Sequence, residues 1–278
     1  MKLFKNKNQA ILNFNQKWYR KIVHNWDELV NRKGLYAFIK EELVLWEALD
    51  KQPNLGQEAP IGNQEVWAAG VTYLRSKEAR MEEAKAAGGG DFYDKVYDAE
   101  RPELFFKATA ARTVGNGDIV YIRRDSTWNV PEPELTLFCC SEGTIEGYSI
   151  GNDMSSRSIE GENPLYLPQA KTYERSAGLG PCIYITDSPI PPTTVIRMEI
   201  FRNGQSMYQD SVPISQIKRG LTELTHYLFR ECNFPNGVFL MTGTCLVPDD
   251  SFTLAVGDEV RIEIDGIGEL VNFVGQRK

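Results

Sequence analysis

The amino-acid sequence predicts an α+β protein that is mainly β, and three observations carry this prediction. Short runs of alternating apolar and polar residues, which are typical of half-buried strands, outnumber the patterns that are typical of helices. Strands and helices do not alternate regularly, which argues against a Rossmann fold or a TIM barrel. With 278 residues, 42% of them hydrophobic, the chain is long enough to bury a large core.

The beginning of the chain predicts a small α/β domain at residues 1–60. Residues 26–30 predict a short helix, and residues 34–38 predict a strand. A polar stretch with prolines and glycines follows at residues 51–63, and this composition is typical of a linker. We therefore expect a second, larger domain at residues 64–278.

The larger domain begins with a buried strand that the sequence predicts within residues 64–74. Charges of alternating sign follow at residues 75–87 and predict an exposed helix, which three glycines at residues 88–90 would end. Two roles fit such a helix equally well: a lid over a pocket, or a solvent-exposed connection between two elements.

From residue 117 onward, the sequence is dominated by β-forming residues. The dipeptide Asn203-Gly204 predicts a tight hairpin turn between two of the strands. The predicted strands cover residues 117–123, 135–140, 144–150, 182–186, 195–201, 252–254, 259–264 and 269–274.

Charge and composition exclude several classes of function. Acidic residues outnumber basic ones by 38 to 31, and the net charge of −7 disfavours binding to nucleic acid, which requires a basic surface. No apolar run reaches the length of a membrane span, and the first residues do not resemble a secretory signal. The five cysteines include no CxxC pair, so zinc and redox motifs are absent from the sequence. We expect a cytoplasmic protein with reduced thiols.

The segment that indicates chemistry is Val130-Pro131-Glu132-Pro133-Glu134. In extended backbone, residues two apart project from the same face, and the prolines favour that conformation. The two carboxylates therefore lie side by side, and their repulsion requires a raised pKa, a basic partner or a metal cation. Because the chain has only two histidines, we expect its chemistry to depend on carboxylates and lysines.

A third carboxylate joins this pair if the chain forms a hairpin. A turn centred between Gly143 and Thr144 would place Glu134 opposite Asp153. Three carboxylates suit a hard cation such as Mg²⁺, with Mn²⁺ or Ca²⁺ as alternatives. The other interpretation is an acidic hairpin on the protein surface.

The order of motifs resembles that of the fumarylacetoacetate hydrolase family over residues 64–278. The motifs are E-P-E, then G-N-D-M-S-S-R, then E-N-P-L-Y-L-P-Q-A-K, then M-T-G-T. The resemblance implies a β-sandwich or barrel behind a small N-terminal domain, and a homodimer or homotetramer. It also implies that Glu132, Glu134 and Asp153 bind Mg²⁺ and that Lys171 lies beside them.

Two further segments are similar to one branch of this family. Hydrolases of the family carry a histidine where this chain has Ser76, and serine is no general base near neutral pH, which argues against C–C bond hydrolysis. The segments R-P-E-L-F-F-K and E-N-P-L-Y-L-P-Q-A-K resemble the 2-keto-3-deoxy-arabinonate and -xylonate dehydratases. This branch converts a 2-keto-3-deoxypentonate, a 2-oxo acid, to 2,5-dioxopentanoate and water through an enolate.

The resemblance assigns roles to individual residues. Glu103 and Lys171 correspond to positions implicated in proton transfer, and we assign Glu103 to the departing hydroxyl and Lys171 to the base or to stabilisation of the enolate. Arg75, Ser76 and Thr244 are expected to bind the substrate. The alternatives are an ion pair of Glu103 with Lys107, an ion pair of Lys171 with the metal carboxylates, and ordinary surface or turn roles for the other three.

Three other functions remain open at this stage. Two are reactions of the same family on another 2-oxo acid, namely hydrolysis of an acylpyruvate and decarboxylation of oxaloacetate. The third is a relative that binds metal without catalysis.

Overall fold

A computed structural model of the chain describes residues 1–74 and 96–278, and it is an α+β structure dominated by β-strands. In chain order, the described strands are β1 (Lys2–Asn6), β2 (Gln9–Phe14), β3 (Lys17–Ile22), β4 (Glu47–Leu49), β5 (Glu65–Gly70), β6 (Glu103–Thr109), β7 (Thr113–Val114), β8 (Asp118–Ile122), β9 (Asn129–Val130), β10 (Pro133–Cys139), β11 (Ile145–Asp153), β12 (Ser155–Ser156), β13 (Ala177–Tyr184), β14 (Val195–Arg202), β15 (Gln205–Pro213), β16 (Val238–Met241), β17 (Glu259–Ile264) and β18 (Gly268–Gln276). The described α-helices are α1 (Trp26–Val30), α2 (Leu35–Glu42), α3 (Arg157–Glu162), α4 (Leu167–Lys171) and α5 (Leu221–Leu228).

Most of these strands form two sheets. The larger sheet has the order β4-β3-β2-β1-β13-β11-β10-β16-β5-β6, and β7 also pairs with β13. The smaller sheet has the order β15-β14-β17-β18-β8, while β9 and β12 form a separate pair. The predicted β-rich class is therefore confirmed.

The main hydrophobic core lies between the two sheets. Leu135 and Ile150 of the larger sheet belong to the same buried cluster as Ile196 and Ile262 of the smaller sheet. A second buried cluster lies on the outer face of the larger sheet, where α1 and α2 contribute apolar side chains. The result is a sandwich of two sheets with a helical layer on one side.

Several local predictions agree with the structure. The predicted helix at Trp26–Val30 is α1, and Asn25 caps it by accepting hydrogen bonds from the backbone of Asp27 and Glu28. Asn203 and Gly204 connect β14 to β15 with φ of 52° and 77°, as a tight hairpin turn requires. All five cysteines are free.

Two local predictions are wrong. Residues 34–38 are not a strand, because Gly34 adopts a left-handed conformation and α2 begins at Leu35. Leu35 and Ile39, four residues apart, bury one face of this helix in the outer cluster. Residues 252–254 are also not a strand: a turn runs from Asp249 to Phe252, and the hydrogen bonds of the segment to Asn129 and Arg202 do not form a ladder.

The register predicted for the central hairpin is wrong by two residues. Glu134 lies opposite Gly151 rather than Asp153. The turn is centred on Glu142, because the amide of Cys140 donates to the carbonyl of Thr144, and this alone would shift the pairing by three residues. A bulge that leaves Glu146 without a partner in the β10–β11 ladder offsets one of these three residues, so the net shift is two. Because a shift of two residues preserves the face of a strand, Asp153 still points to the same side as Glu134.

The boundary between residues 1–60 and 64–278 stays a proposal. Strand β1 of the N-terminal segment pairs with β13, so the strands of this segment continue the larger sheet. The predicted charged helix at 75–87 and the glycines at 88–90 lie outside the described residues. None of the described helices is long and apolar enough to cross a membrane.

Candidate active site

Three carboxylates converge at one end of β10 and β11. Glu132 immediately precedes β10, Glu134 lies on it, and Asp153 ends β11. The amide of Asp153 donates to the carbonyl of Glu132 over 2.9 Å, which places these two residues opposite each other. One oxygen from each carboxylate lies within 4.8 Å of the others. The predicted convergence is therefore present, although it arises from a different register.

All three carboxylates are buried on the outer face of the larger sheet. Their exposed fractions are 3% for Glu132 and 1% each for Glu134 and Asp153. Glu134 and Phe138 are four residues apart on β10, so their side chains point to the same face, and Phe138 packs in the outer cluster. Since buried carboxylates require compensation, the cluster needs cations, hydrogen-bond donors or protons around it.

Two of the carboxylates contact buried cations. The Lys171 ammonium donates to Glu132 Oε2 over 2.6 Å and to Asp153 Oδ2 over 3.2 Å. Lys107 Nζ lies 2.6 Å from Asp153 Oδ1, and Arg157 donates to Glu132 Oε1 over 2.8 Å. The exposed fractions of these cations are 3% or less. Glu132 and Asp153 are therefore compensated within the protein.

Glu134 has a different environment. Its Oε2 accepts a hydrogen bond of 2.6 Å from the backbone amide of Gly243, and no lysine or arginine of the described residues forms an ion pair with it. Burial, followed by repulsion from Asp153 and Glu132, raises the pKa of Glu134 well above its usual range. A divalent cation beside Glu134 would remove this penalty, so the residues present fit a metal ion.

A small cavity lies between the carboxylates and the neighbouring strands. Its volume of about 20 Å³ is enough for one ion or one water molecule. Phe105, Gly70 and Val71 form part of its wall, together with Lys171 and Thr244. The predicted substrate residue Thr244 therefore lies at this cavity, where its Oγ1 also accepts a hydrogen bond from the amide of Leu246.

Glu103 lies beside the cavity, on β6. It is directly opposite Gly70 of β5 in the antiparallel ladder. The alternative of an ion pair with Lys107 is not found, because the Lys107 ammonium contacts Asp153 and the carbonyls of Met154 and Lys171. The alternative of an ion pair for Lys171 is present, since Lys171 contacts Glu132 and Asp153. Arg75 and Ser76 lie outside the described residues.

Sequence reasoning assigned no role to Arg157 or Gly243 and considered Lys107 only as an ion-pair partner of Glu103. A signal existed for Lys107, because a single lysine between Phe106 and Ala108 interrupts an apolar run. It occupies a bulge of β6, where Phe106 and Ala108 pair with consecutive residues of β5 and Lys107 has no partner in the ladder. Bulges of this kind redirect a side chain next to a site. Burial lowers the pKa of Lys107. Gly243 lies in the M-T-G-T motif, but the motif does not indicate its contact with Glu134, which spans more than a hundred residues.

Comparisons with known proteins agree with the geometry. The family described as Fumarylacetoacetate (FAA) hydrolase C-terminal matches residues 66–275. A probable 2-keto-3-deoxyxylonate dehydratase of Haloferax volcanii is 49% identical over 216 residues, which are 77% of this chain and 73% of the relative. A 2-dehydro-3-deoxy-D-arabinonate dehydratase of Saccharolobus solfataricus is 42% identical over 221 residues, which are 79% of this chain and 74% of the relative.

A solved structure shares the complete fold. It is a 2-keto-3-deoxy-D-arabinonate dehydratase complexed with magnesium and 2,5-dioxopentanoate, with a TM-score of 0.85, 34% sequence identity and coverage of 100% of both chains. Fold, site and sequence match together show that this chain belongs to the fumarylacetoacetate hydrolase family.

Proposed function

We propose that this protein is a Mg²⁺-dependent dehydratase that converts a 2-keto-3-deoxypentonate to 2,5-dioxopentanoate and water. The observation that carries the proposal is the buried cluster of Glu132, Glu134 and Asp153, with Lys171 at the same cavity. Two relatives at 49% and 42% identity are described as dehydratases of such sugar acids. A magnesium and product complex of a protein with the same fold gives further support.

The reaction first removes a proton from carbon 3 of the substrate and a hydroxyl from carbon 4, which gives 5-hydroxy-2-oxopent-3-enoate and water. Loss of a proton from carbon 5 and return of a proton to carbon 3 then give an enol, which tautomerises to 2,5-dioxopentanoate. The difficult step is the first, because the electron pair left at carbon 3 must be delocalised onto the carbon-2 oxygen. Glu132, Glu134 and Asp153 would hold a divalent ion, which would supply electrophilic stabilisation of that negative charge. The remaining tasks are proton removal, protonation of the leaving hydroxyl and exclusion of water.

Lys171 is the proposed base or the group that stabilises the enolate oxygen. Its ammonium contacts Glu132 and Asp153 and lines the cavity, so it lies at the end of the site where the keto group would bind. Phe105 lies beside it, with the ring centroid 5.7 Å from Nζ, and gives the ammonium an aromatic neighbour at the cavity wall. General acid–base catalysis by a group held in this way contributes about 10²–10⁴-fold to a rate.

Glu103 is the proposed group for the departing hydroxyl. It lies beside the cavity rather than among the carboxylates of the cluster, as a group serving carbon 4 should. Lys107 and Arg157 have supporting roles, because each holds one of the carboxylates through an oxygen that Lys171 does not contact.

The assembly and location of the protein are proposals as well. The family resemblance supports a homodimer or homotetramer and a cytoplasmic enzyme. Light scattering coupled to size-exclusion chromatography tests the assembly: a mass of one chain of 31.5 kDa would contradict it.

Turnover measurements with a matched pair of variants test the metal site. Wild-type protein, Glu134→Gln and Glu142→Gln are incubated with 2-keto-3-deoxypentonate in Mg²⁺ and in EDTA. Glu142 is exposed and serves as the control. We expect wild type and Glu142→Gln to be active only with Mg²⁺, and Glu134→Gln to be inactive although folded. Full activity of Glu134→Gln, or of wild type in EDTA, would refute the metal assignment.

A further inference from the structure

Gly70 lies at the contact between β5 and Glu103. A Cβ atom built on Gly70 would be 2.0 Å from Glu103 Oε2 and 2.6 Å from its Cδ. These distances are far below any contact that real Cβ atoms make, so the carboxyl group of Glu103 occupies the space of the missing side chain. Oε2 of Glu103 is buried in this position.

The backbone does not require glycine at this position. Gly70 is the last residue of β5 and is not among the glycines with positive φ. An alanine can adopt this extended conformation without strain, and it carries a smaller entropy cost than glycine in a strand. Glycine is therefore required for a steric reason, namely that a side chain on its Cα atom would occupy the space of the Glu103 carboxyl group.

That space lies at the cavity. Gly70 belongs to the wall of the cavity that the three carboxylates and Lys171 also line. The neighbours of Gly70 in β5, Ala68 and Ala69, are themselves small and buried, so the strand presents little bulk along this edge. The carboxyl group of Glu103 can thus approach the backbone of β5 instead of projecting away from it.

We propose that Gly70 is a positioning residue that reserves the space for the Glu103 carboxyl group beside the cavity. This inference rests on the proposed function, in which Glu103 assists departure of the carbon-4 hydroxyl. In Gly70→Ala the carboxyl group must move by about 1 Å to restore a normal contact. Displacement of a catalytic group by that distance costs about 100-fold in rate.

The clash in Gly70→Ala is with the far end of a flexible side chain, which can rotate away. We therefore expect the variant to fold, with a Tm and a Kd for Mg²⁺ like those of wild type. Turnover should change in a specific way: kcat falls about 100-fold, while KM stays unchanged, as expected when the lost interaction is made only in the transition state. A merely structural role would lower Tm and leave kcat per folded molecule unchanged.

A double-mutant cycle completes the test, with Gly70→Ala measured alone and together with Glu103→Ala. Because Glu103→Ala removes the group that Gly70 accommodates, Gly70→Ala should change the residual turnover by less than about twofold in that background. Gly220→Ala is the matched control, since an added Cβ there has no atom closer than 3.7 Å, and it should match wild type.

Three results would be decisive against this account. Wild-type kcat in Gly70→Ala, or equal losses in the two backgrounds, would overturn the positioning role. Wild-type kcat in Glu103→Ala would overturn the role of Glu103 and the inference with it. The absence of turnover in the wild-type protein would instead refute the proposed function, while Mg²⁺ binding by calorimetry would still report on the carboxylate cluster.

Discussion

Replacing Lys107 with methionine should destabilise the protein strongly, although Lys107 does not line the cavity. Its ammonium lies 2.6 Å from Asp153 Oδ1 and donates to the carbonyls of Met154 and Lys171, the first of these over 2.9 Å. The ammonium is therefore held by one ion pair and two hydrogen bonds, and the side chain is 0% exposed. Methionine keeps the length of the side chain but removes the charge and the donors.

The expected loss in the free energy of unfolding follows from the removal of one partner of a buried ion pair. Removing one partner typically costs about 3–5 kcal/mol, because the other charge stays buried without compensation. Lys171 still contacts Asp153 at 3.2 Å, so the lower half of that range applies. At roughly 2 °C of Tm for each kcal/mol in a chain of this size, the expected decrease is about 6–8 °C.

Thermal denaturation of the apoprotein in EDTA measures this effect. Lys218→Met is the control, because Lys218 pairs with Asp98 at the surface, where such pairs contribute about 0–1 kcal/mol. Adding Asp153→Asn to Lys107→Met should recover part of the lost stability, since the buried charge that has lost its nearer partner is then removed as well. A decrease in Tm no larger than that of the control, or no recovery in the double variant, would refute the reasoning.

Three further predictions concern the carboxylate cluster. Because the pKa of Glu134 is raised in the folded apoprotein, protonated Glu134 contributes stability below the ordinary carboxyl range, and this contribution is lost as pH rises through the raised pKa. Denaturation in EDTA across pH should show the loss in wild type but not in Glu134→Gln. Lys171→Met should lower kcat by at least about 100-fold while calorimetry shows an unchanged or tighter Kd for Mg²⁺, because its ammonium occupies the carboxylate oxygens; a parallel loss of both would make Lys171 structural. Gly243→Ala should weaken Mg²⁺ binding in the same assay. The added Cβ would lie 2.0 Å from Thr72 Oγ1, at a φ of 93°, and the backbone amide would shift and lose its hydrogen bond to Glu134. An unchanged affinity would show that this amide does not position Glu134 for the metal.

Local patterns predicted those strands that are regular and half-buried. Residues 195–201 and 259–264 alternate between core and solvent, and the structure contains β14 and β17 there. The strand predicted at residues 34–38 is wrong because their aromatic and apolar character fits a strand, whereas burial of one face against the larger sheet favours a helix. Such tertiary packing is not visible in a short window of sequence.

The carboxylate cluster was predictable in composition but not in register. Glu132 and Glu134 are two residues apart and point to the same face of the sheet in any register, and a shift of two residues keeps Asp153 on that face as well. The bulge at Glu146 and the position of the turn could not be inferred from residue types alone. The same limit applies to Lys107, whose contact with Asp153 joins residues far apart in the chain.

The most direct test of the central claim is identification of the product formed from 2-keto-3-deoxypentonate. Wild-type protein with Mg²⁺ is incubated with this substrate, and the mixture is analysed by NMR before and after addition of EDTA. We predict 2,5-dioxopentanoate, formed by loss of one water with the carbon chain intact, and its formation should stop in EDTA. Pyruvate together with glycolaldehyde would indicate cleavage between carbons 3 and 4, and that result would contradict the proposed dehydration.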